Sequence, residues 1–124
     1  MVKLSETVQS GDWKGEKHVP VIHAPESAAA GEVVRIKVAV GEEIPHPNTF
    51  EHYIAWIKVY FKADDAKFPV EIASLQFTAH GEGELLTEPK ACVNFKAAKS
   101  GVILAESYCN IHGLWENSVR LEVK

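Results

Sequence analysis

Val34-Arg35-Ile36-Lys37-Val38-Ala39-Val40 puts an apolar residue at every even position and a charge at two of the odd ones. A repeat of two is the repeat of a β-strand, with one face toward a core and the other toward water. The same alternation recurs outward from this stretch. Over residues 53–62 it predicts Tyr53, Ala55, Ile57, Val59 and Phe61 on one side, with Lys58 and Lys62 opposite. Over 70–79 it puts Leu75 and Phe77 on the inner face, and Ala91, Val93 and Phe95 alternate with Lys90, Cys92, Asn94 and Lys96. Strands are also expected over 18–22, 102–108 and 119–123. Turn signals separate them at Gly31, Gly41, Asp64-Asp65, Gly81-Glu82-Gly83 and Lys99-Ser100-Gly101. Residues 27–31 read as a loop and 5–10 as a short helical turn. No segment carries a long, capped apolar stripe of helical period. The fold expected is all-β, a seven-stranded antiparallel immunoglobulin-like β-sandwich.

A chain of 124 residues suits one domain over 1–124 and buries roughly two-thirds of its unfolded surface, so disulfide staples are not required. Thirteen basic against seventeen acidic residues give a formal charge of −4 with no cationic block. That balance gives no support to nucleic-acid binding. No apolar run has the length of a signal peptide or a membrane span, and a cytoplasmic location is expected. In a reducing compartment a Cys92–Cys109 disulfide is disfavoured, and a metal or catalytic role becomes the better reading for at least one thiol.

Three short segments carry the chemistry: Glu16-Lys17-His18-Val19-Pro20, His46-Pro47-Asn48-Thr49-Phe50-Glu51-His52 and Cys109-Asn110-Ile111-His112-Gly113-Leu114-Trp115. They supply four imidazoles, a thiolate, a carboxylate and an ammonium group. Each falls at a strand edge or between strands, where a rigid scaffold presents functional loops. Pro45 and Pro47 stiffen the backbone around His46, so its ring can be aimed accurately. Cys109-x-x-His112 is a tight chelating pair, and Gly113 behind it permits a sharp turn. The amides of Ile111 and His112 are candidates to tune the sulfur, and Asn110 belongs to the same supporting turn. His23 reads as a surface histidine, His80 as a surface group or a support for the ligands, and Cys92 as a structural thiol. Trp13, Trp56 and Trp115 read as core or rim aromatics.

His18, His46, His52, His112 and Cys109 exceed the four ligands of a structural zinc site. Imidazole suits iron, copper, nickel and zinc alike. Five protein donors fit a metal that takes six, with one position left for substrate, and iron matches that pattern.

At this point the three segments, with Gly11-Asp12-Trp13, Phe77-Thr78-Ala79-His80-Gly81-Glu82 and Thr87-Glu88-Pro89, resemble superoxide reductase in its short one-iron form, also called neelaredoxin. The resemblance implies a ferrous centre with His18, His46, His52 and His112 in the equatorial plane and Cys109 as axial thiolate. It implies that Glu16 occupies the sixth position when iron is oxidised, and that Lys17 attracts superoxide. It further implies rubredoxin as electron donor and a homotetramer. Longer relatives add a rubredoxin-like centre bound by four cysteines, a set this chain lacks, so a single iron is expected. Phe50 and Tyr53 stand where relatives commonly carry threonine and histidine, and the segment 81–87 is shorter than in several of them.

Two other readings compete. A blue-copper electron carrier uses two histidines, a cysteine and a weak axial methionine, but the only methionine here is Met1. A non-catalytic immunoglobulin-like binding module leaves the stiffened His46 and the Cys109–His112 pair without a purpose.

Overall fold

In the computed structural model, which describes residues 1–11 and 17–124, alternation becomes two sheets packed face to face. The strands are β1 (Val21–His23), β2 (Ser27–Ala28), β3 (Val33–Ala39), β4 (Ile54–Ala63), β5 (Val70–Gln76), β6 (Lys90–Lys96), β7 (Gly101–Cys109) and β8 (Gly113–Val123). One sheet has the order β1-β3-β6 and the other β2-β8-β7-β4-β5. Val34, Ile36, Val38 and Val93 from the first meet Ile57, Val59, Ile103, Ala105 and Leu121 from the second in a single apolar cluster. Each fully buried aliphatic side chain stabilises the sandwich by about 1.5–3 kcal/mol. The expected helical turn near the start is a 3-10 turn over Leu4–Glu6.

Three local departures from the sequence reading have physical causes. Residues 27–31 are not wholly loop. Ser27 and Ala28 pair in parallel with Glu122 and Val123, so eight strands are present among the described residues rather than seven, with one parallel pair among antiparallel ones. The first strand begins at Val21 rather than residue 18, because Pro20 has no N–H to offer a ladder. In β4 the register shifts between Ile54 and Trp56. The irregularity changes the parity of the inward face, so Ile54 is buried together with Ile57 and Val59, while Tyr53 and Ala55 are only half-buried.

Strand β7 does most to position the site. Its odd-numbered residues Gly101, Ile103, Ala105, Ser107 and Cys109 are all buried and the even ones are not. The alternation that builds the core therefore delivers the Cys109 sulfur to the inner face at the end of the strand. β8 starts at Gly113, immediately after the chelating pair, and Cys109 is in register with Gly113. Asn110, Ile111 and His112 form a three-residue hairpin loop, closed by Gly113 at φ +81°. A glycine in the left-handed region is what a three-residue hairpin calls for.

Candidate metal centre

Ligand atoms of His18, His46, His52 and Cys109 all lie within 4.8 Å of one another. His112 joins them: its Nδ1 is 3.1 Å from His18 Nε2 and 4.0 Å from the Cys109 sulfur. The four rings form a near-square. Neighbouring centroids are 4.7 Å apart for His18–His46, 4.7 Å for His46–His52, 5.1 Å for His52–His112 and 5.0 Å for His18–His112. His18 and His52 sit across it at 6.5 Å, close to the diagonal of a square on those sides. Neighbouring ring planes are steeply inclined, at 70° to 89°, whereas the opposite pair is tilted by only 32°. Cys109 lies fully buried beside this array, with His46 Nε2 3.5 Å from its sulfur. His18 and His46 are buried, while His52 and His112 are half-buried, so the square opens toward solvent along one side.

Each ring is held by a different device. His46 turns Nδ1 to the carbonyl of Pro47 at 2.6 Å, which leaves Nε2 facing the cluster. An imidazole tied down through one nitrogen presents the other in a fixed tautomer. His52 closes a small turn: its N–H donates to Thr49 Oγ1 at 3.1 Å and its carbonyl accepts from Thr49 N at 2.9 Å. Asn110 then clamps that turn to the cysteine loop. Its Oδ1 accepts from Tyr53 N at 2.9 Å and its Nδ2 donates to the Glu51 carbonyl at 2.9 Å, one bond on each side of His52. For His112 the short hairpin brings ring Nδ1 to 4.0 Å from the sulfur. The backbone N–H of His112 points at the sulfur at 3.4 Å, and Ile111 beside it is exposed.

His18 is gripped by a cross-strand pair that the sequence reading did not single out. Ser107 and Trp115 are in register across β7 and β8, and both are fully buried. Ser107 Oγ donates to the His18 carbonyl at 2.8 Å. The Trp115 indole stacks on the His18 ring at 4.4 Å and 15°, and its Nε1 donates to the His112 carbonyl at 3.2 Å. Trp115 thus fixes the plane of one ring and the backbone of another. Trp115 stood in the third segment but read only as a core or rim aromatic; the signal for Ser107 was a serine on the buried face of a strand, two residues before the cysteine.

The remaining predicted residues divide. Lys17 is half-buried and lines a cleft of about 250 Å³ with Val19, Val21, His23, Gly41, Glu42 and Glu43. Glu16, and with it Gly11-Asp12-Trp13 beyond its first residue, lies outside the described residues. His80 is a support: it stacks on Tyr53 at 3.7 Å, hydrogen-bonds the Phe77 carbonyl through Nε2 at 2.6 Å and places Nδ1 3.3 Å from Asn48 Oδ1. Asn48 Nδ2 in turn donates to the Thr87 carbonyl at 3.1 Å, so the histidine loop is tied to the segment following β5. The backbone N–H of His80 holds the Glu82 carboxyl below the usual carboxylate range. His23 is bonded to the Glu42 carboxylate, and Cys92 is exposed on β6; neither is part of the cluster.

Four imidazoles around a buried sulfur suit a metal of high coordination number with mixed nitrogen and thiolate ligands. Iron fits this donor set. A blue-copper site has no place for the third and fourth histidine.

A model of the desulfoferrodoxin family matches residues 10–118 of the chain. The superoxide reductase of Pyrococcus abyssi is 56% identical over 119 residues, covering 96% of this chain and 99% of that protein. Neelaredoxin of Megalodesulfovibrio gigas is 43% identical over 130 residues, covering 99% and 100%. Among solved structures, the superoxide reductase (neelaredoxin) of Archaeoglobus fulgidus in its reduced form superposes with a TM-score of 0.83 at 49% identity, over 94% of this chain and 98% of that one.

Proposed function

The chain belongs to the desulfoferrodoxin family and is a superoxide reductase; we propose that it works through one iron held by His18, His46, His52, His112 and Cys109. The observation that carries this assignment is the near-square of four imidazoles beside a buried sulfur. Iron bound there supplies the electron for superoxide and a coordination position to receive it. In the overall reaction one superoxide takes one electron and two protons and leaves as one hydrogen peroxide. No second superoxide is oxidised.

The chain's own residues divide the work. The Cys109 thiolate would donate electron density to a bound metal, and the His112 N–H directed at the sulfur would moderate that donation. Trp115 fixes the plane of the His18 ring, while Ser107 and Asn110 hold the backbone that carries His18 and His52. Glu16, two residues before His18 in sequence, would supply a carboxylate to the oxidised metal. Lys17 attracts the anionic substrate. The electron is restored by a rubredoxin-like donor, the chain assembles as a homotetramer, and it works in the cytoplasm. No helix among the described residues is long and apolar enough to cross a membrane.

Mixing the reduced, iron-loaded protein with superoxide tests this function: one peroxide should form per superoxide, with no oxygen released. Release of one oxygen per peroxide would make the protein a dismutase instead. The Lys17→Ala variant should keep its iron but react with superoxide about tenfold more slowly at low ionic strength, and its rate should depend less on salt. A variant with the unaltered rate and salt dependence would remove Lys17 from the mechanism.

A further inference from the structure

We propose that His80 is a buried imidazolium, and that in this charged form it is the positioning residue for the loop that carries His46 and His52. The proposal rests on the reading above, in which those two histidines hold a metal. His80 is only 6% exposed, and a histidine so buried needs an acceptor for each ring N–H it carries.

Both ring nitrogens face acceptors. Nε2 is 2.6 Å from the Phe77 carbonyl, which can only accept, so this nitrogen carries a proton. Nδ1 is 3.3 Å from Asn48 Oδ1. The Asn48 carboxamide cannot be turned round to offer Nδ1 a donor, because its Nδ2 donates to the Thr87 carbonyl at 3.1 Å and the Glu88 carboxylate at 3.2 Å. Exchanging its two ends would set an oxygen against both of those acceptors. Nδ1 therefore carries the second proton.

The surroundings agree with a cation. His80 and Tyr53 stack with centroids 3.7 Å apart and planes at 13°, one ring almost squarely over the other. Neutral rings avoid that overlap, whereas a cation over an aromatic face is attracted to it. The Glu82 carboxylate accepts from the His80 backbone N–H at 2.8 Å and sets a negative charge beside the ring. Glu82, Glu88 and Tyr53 are the titratable groups that these contacts bring to His80 and its Asn48 partner.

The charge is placed to hold the ligand loop at both ends. Asn48 follows His46 by two residues, and Tyr53 follows His52 directly. His80 itself is anchored from behind: it bridges to Leu86, and Thr87 bonds Ala79 through both its N–H and its Oγ1, at 2.8 and 3.1 Å. One imidazolium thus grips the start of the loop through Nδ1 and its end through the ring face. A neutral ring protonated at Nε2 would turn a lone pair toward Asn48 Oδ1 and release the first grip.

Two measurements test this. In the full chain loaded with zinc, which leaves no unpaired electron to broaden signals, nitrogen NMR of the His80 ring should show both nitrogens protonated at neutral pH. The His80→Phe variant identifies those signals by their loss. In the iron-loaded protein the same variant keeps a ring against Tyr53 but removes both N–H groups, and it should release iron to a chelator about tenfold faster. Asn48→Ala should do the same, and the double variant should be no worse than either alone, because both changes disable one coupled device. A ring nitrogen without a proton would overturn the charge. Iron retained by His80→Phe as by the parent, or losses that multiply in the double variant, would overturn the positioning role. Unmodified protein with the doubly protonated ring that takes up zinc but no iron would uphold the charge and defeat the iron reading, so the two failures are told apart.

Discussion

Cys109→Ser will leave a folded protein that lacks the visible thiolate-to-iron band and nearly all superoxide reductase activity, a loss of at least about 100-fold. The reason is electronic rather than steric. Serine nearly matches cysteine in size, and Ser107 shows that β7 accepts a buried hydroxyl on the same face two residues earlier. The His112 N–H that points at the sulfur would still find an acceptor. What disappears is an anionic, polarisable donor, because an alcohol does not ionise where a thiol does. Absorption spectra of the oxidised variant and its kinetics with superoxide read the two effects, and circular dichroism verifies the fold. A variant with the parent spectrum would defeat the assignment of Cys109 as a ligand.

The second large effect is expected at a residue that touches no metal. Gly41→Ala should strip iron from the protein, lowering affinity by about 10–100-fold. Gly41 has φ +82°, and a Cβ there would sit 2.5 Å from the backbone nitrogen of His46 and 3.2 Å from the Pro45 carbonyl carbon. Those are main-chain atoms of a proline-stiffened segment, so the relief must come from moving His46 itself. That ring is buried and tied at Nδ1 to the Pro47 carbonyl, so its Nε2 cannot swing back independently. Gly31→Ala is the control. At φ +79° it carries the same left-handed strain, about 1–2 kcal/mol, but meets nothing within 4 Å. Iron content after dialysis against a chelator should fall for Gly41→Ala alone. Equal retention by the two variants would show that the His46 loop yields to the added methyl.

What the sequence disclosed depended on whether a signal was local. The alternation in β3 is local, so its inward face was readable; β7 was expected over 102–108 with no face assigned, and the burial of Cys109 at its end emerged only with the fold. The parity of β4 was not readable either, because the register shift between Ile54 and Trp56 is set by pairing with β7. The start of β8 was hidden for another reason: Gly113-Leu114-Trp115 belongs to a ligand motif and reads as loop, although a three-residue hairpin needs the strand to resume at once. The ligands themselves were legible because histidines and a cysteine in three sparse clusters are unusual. Their supports were not, since Trp115 and Ser107 look like ordinary core residues until cross-strand register sets both against His18. Asn110 was placed in the supporting turn, but its clamp on both sides of His52 required the tertiary fold.

Metal content together with the visible spectrum of the purified protein, before and after oxidation, bears most directly on the central assignment. About one iron per chain, with a thiolate band that appears on oxidation, is the predicted result. Stoichiometric zinc or copper after iron-replete expression, with no such band, would contradict it.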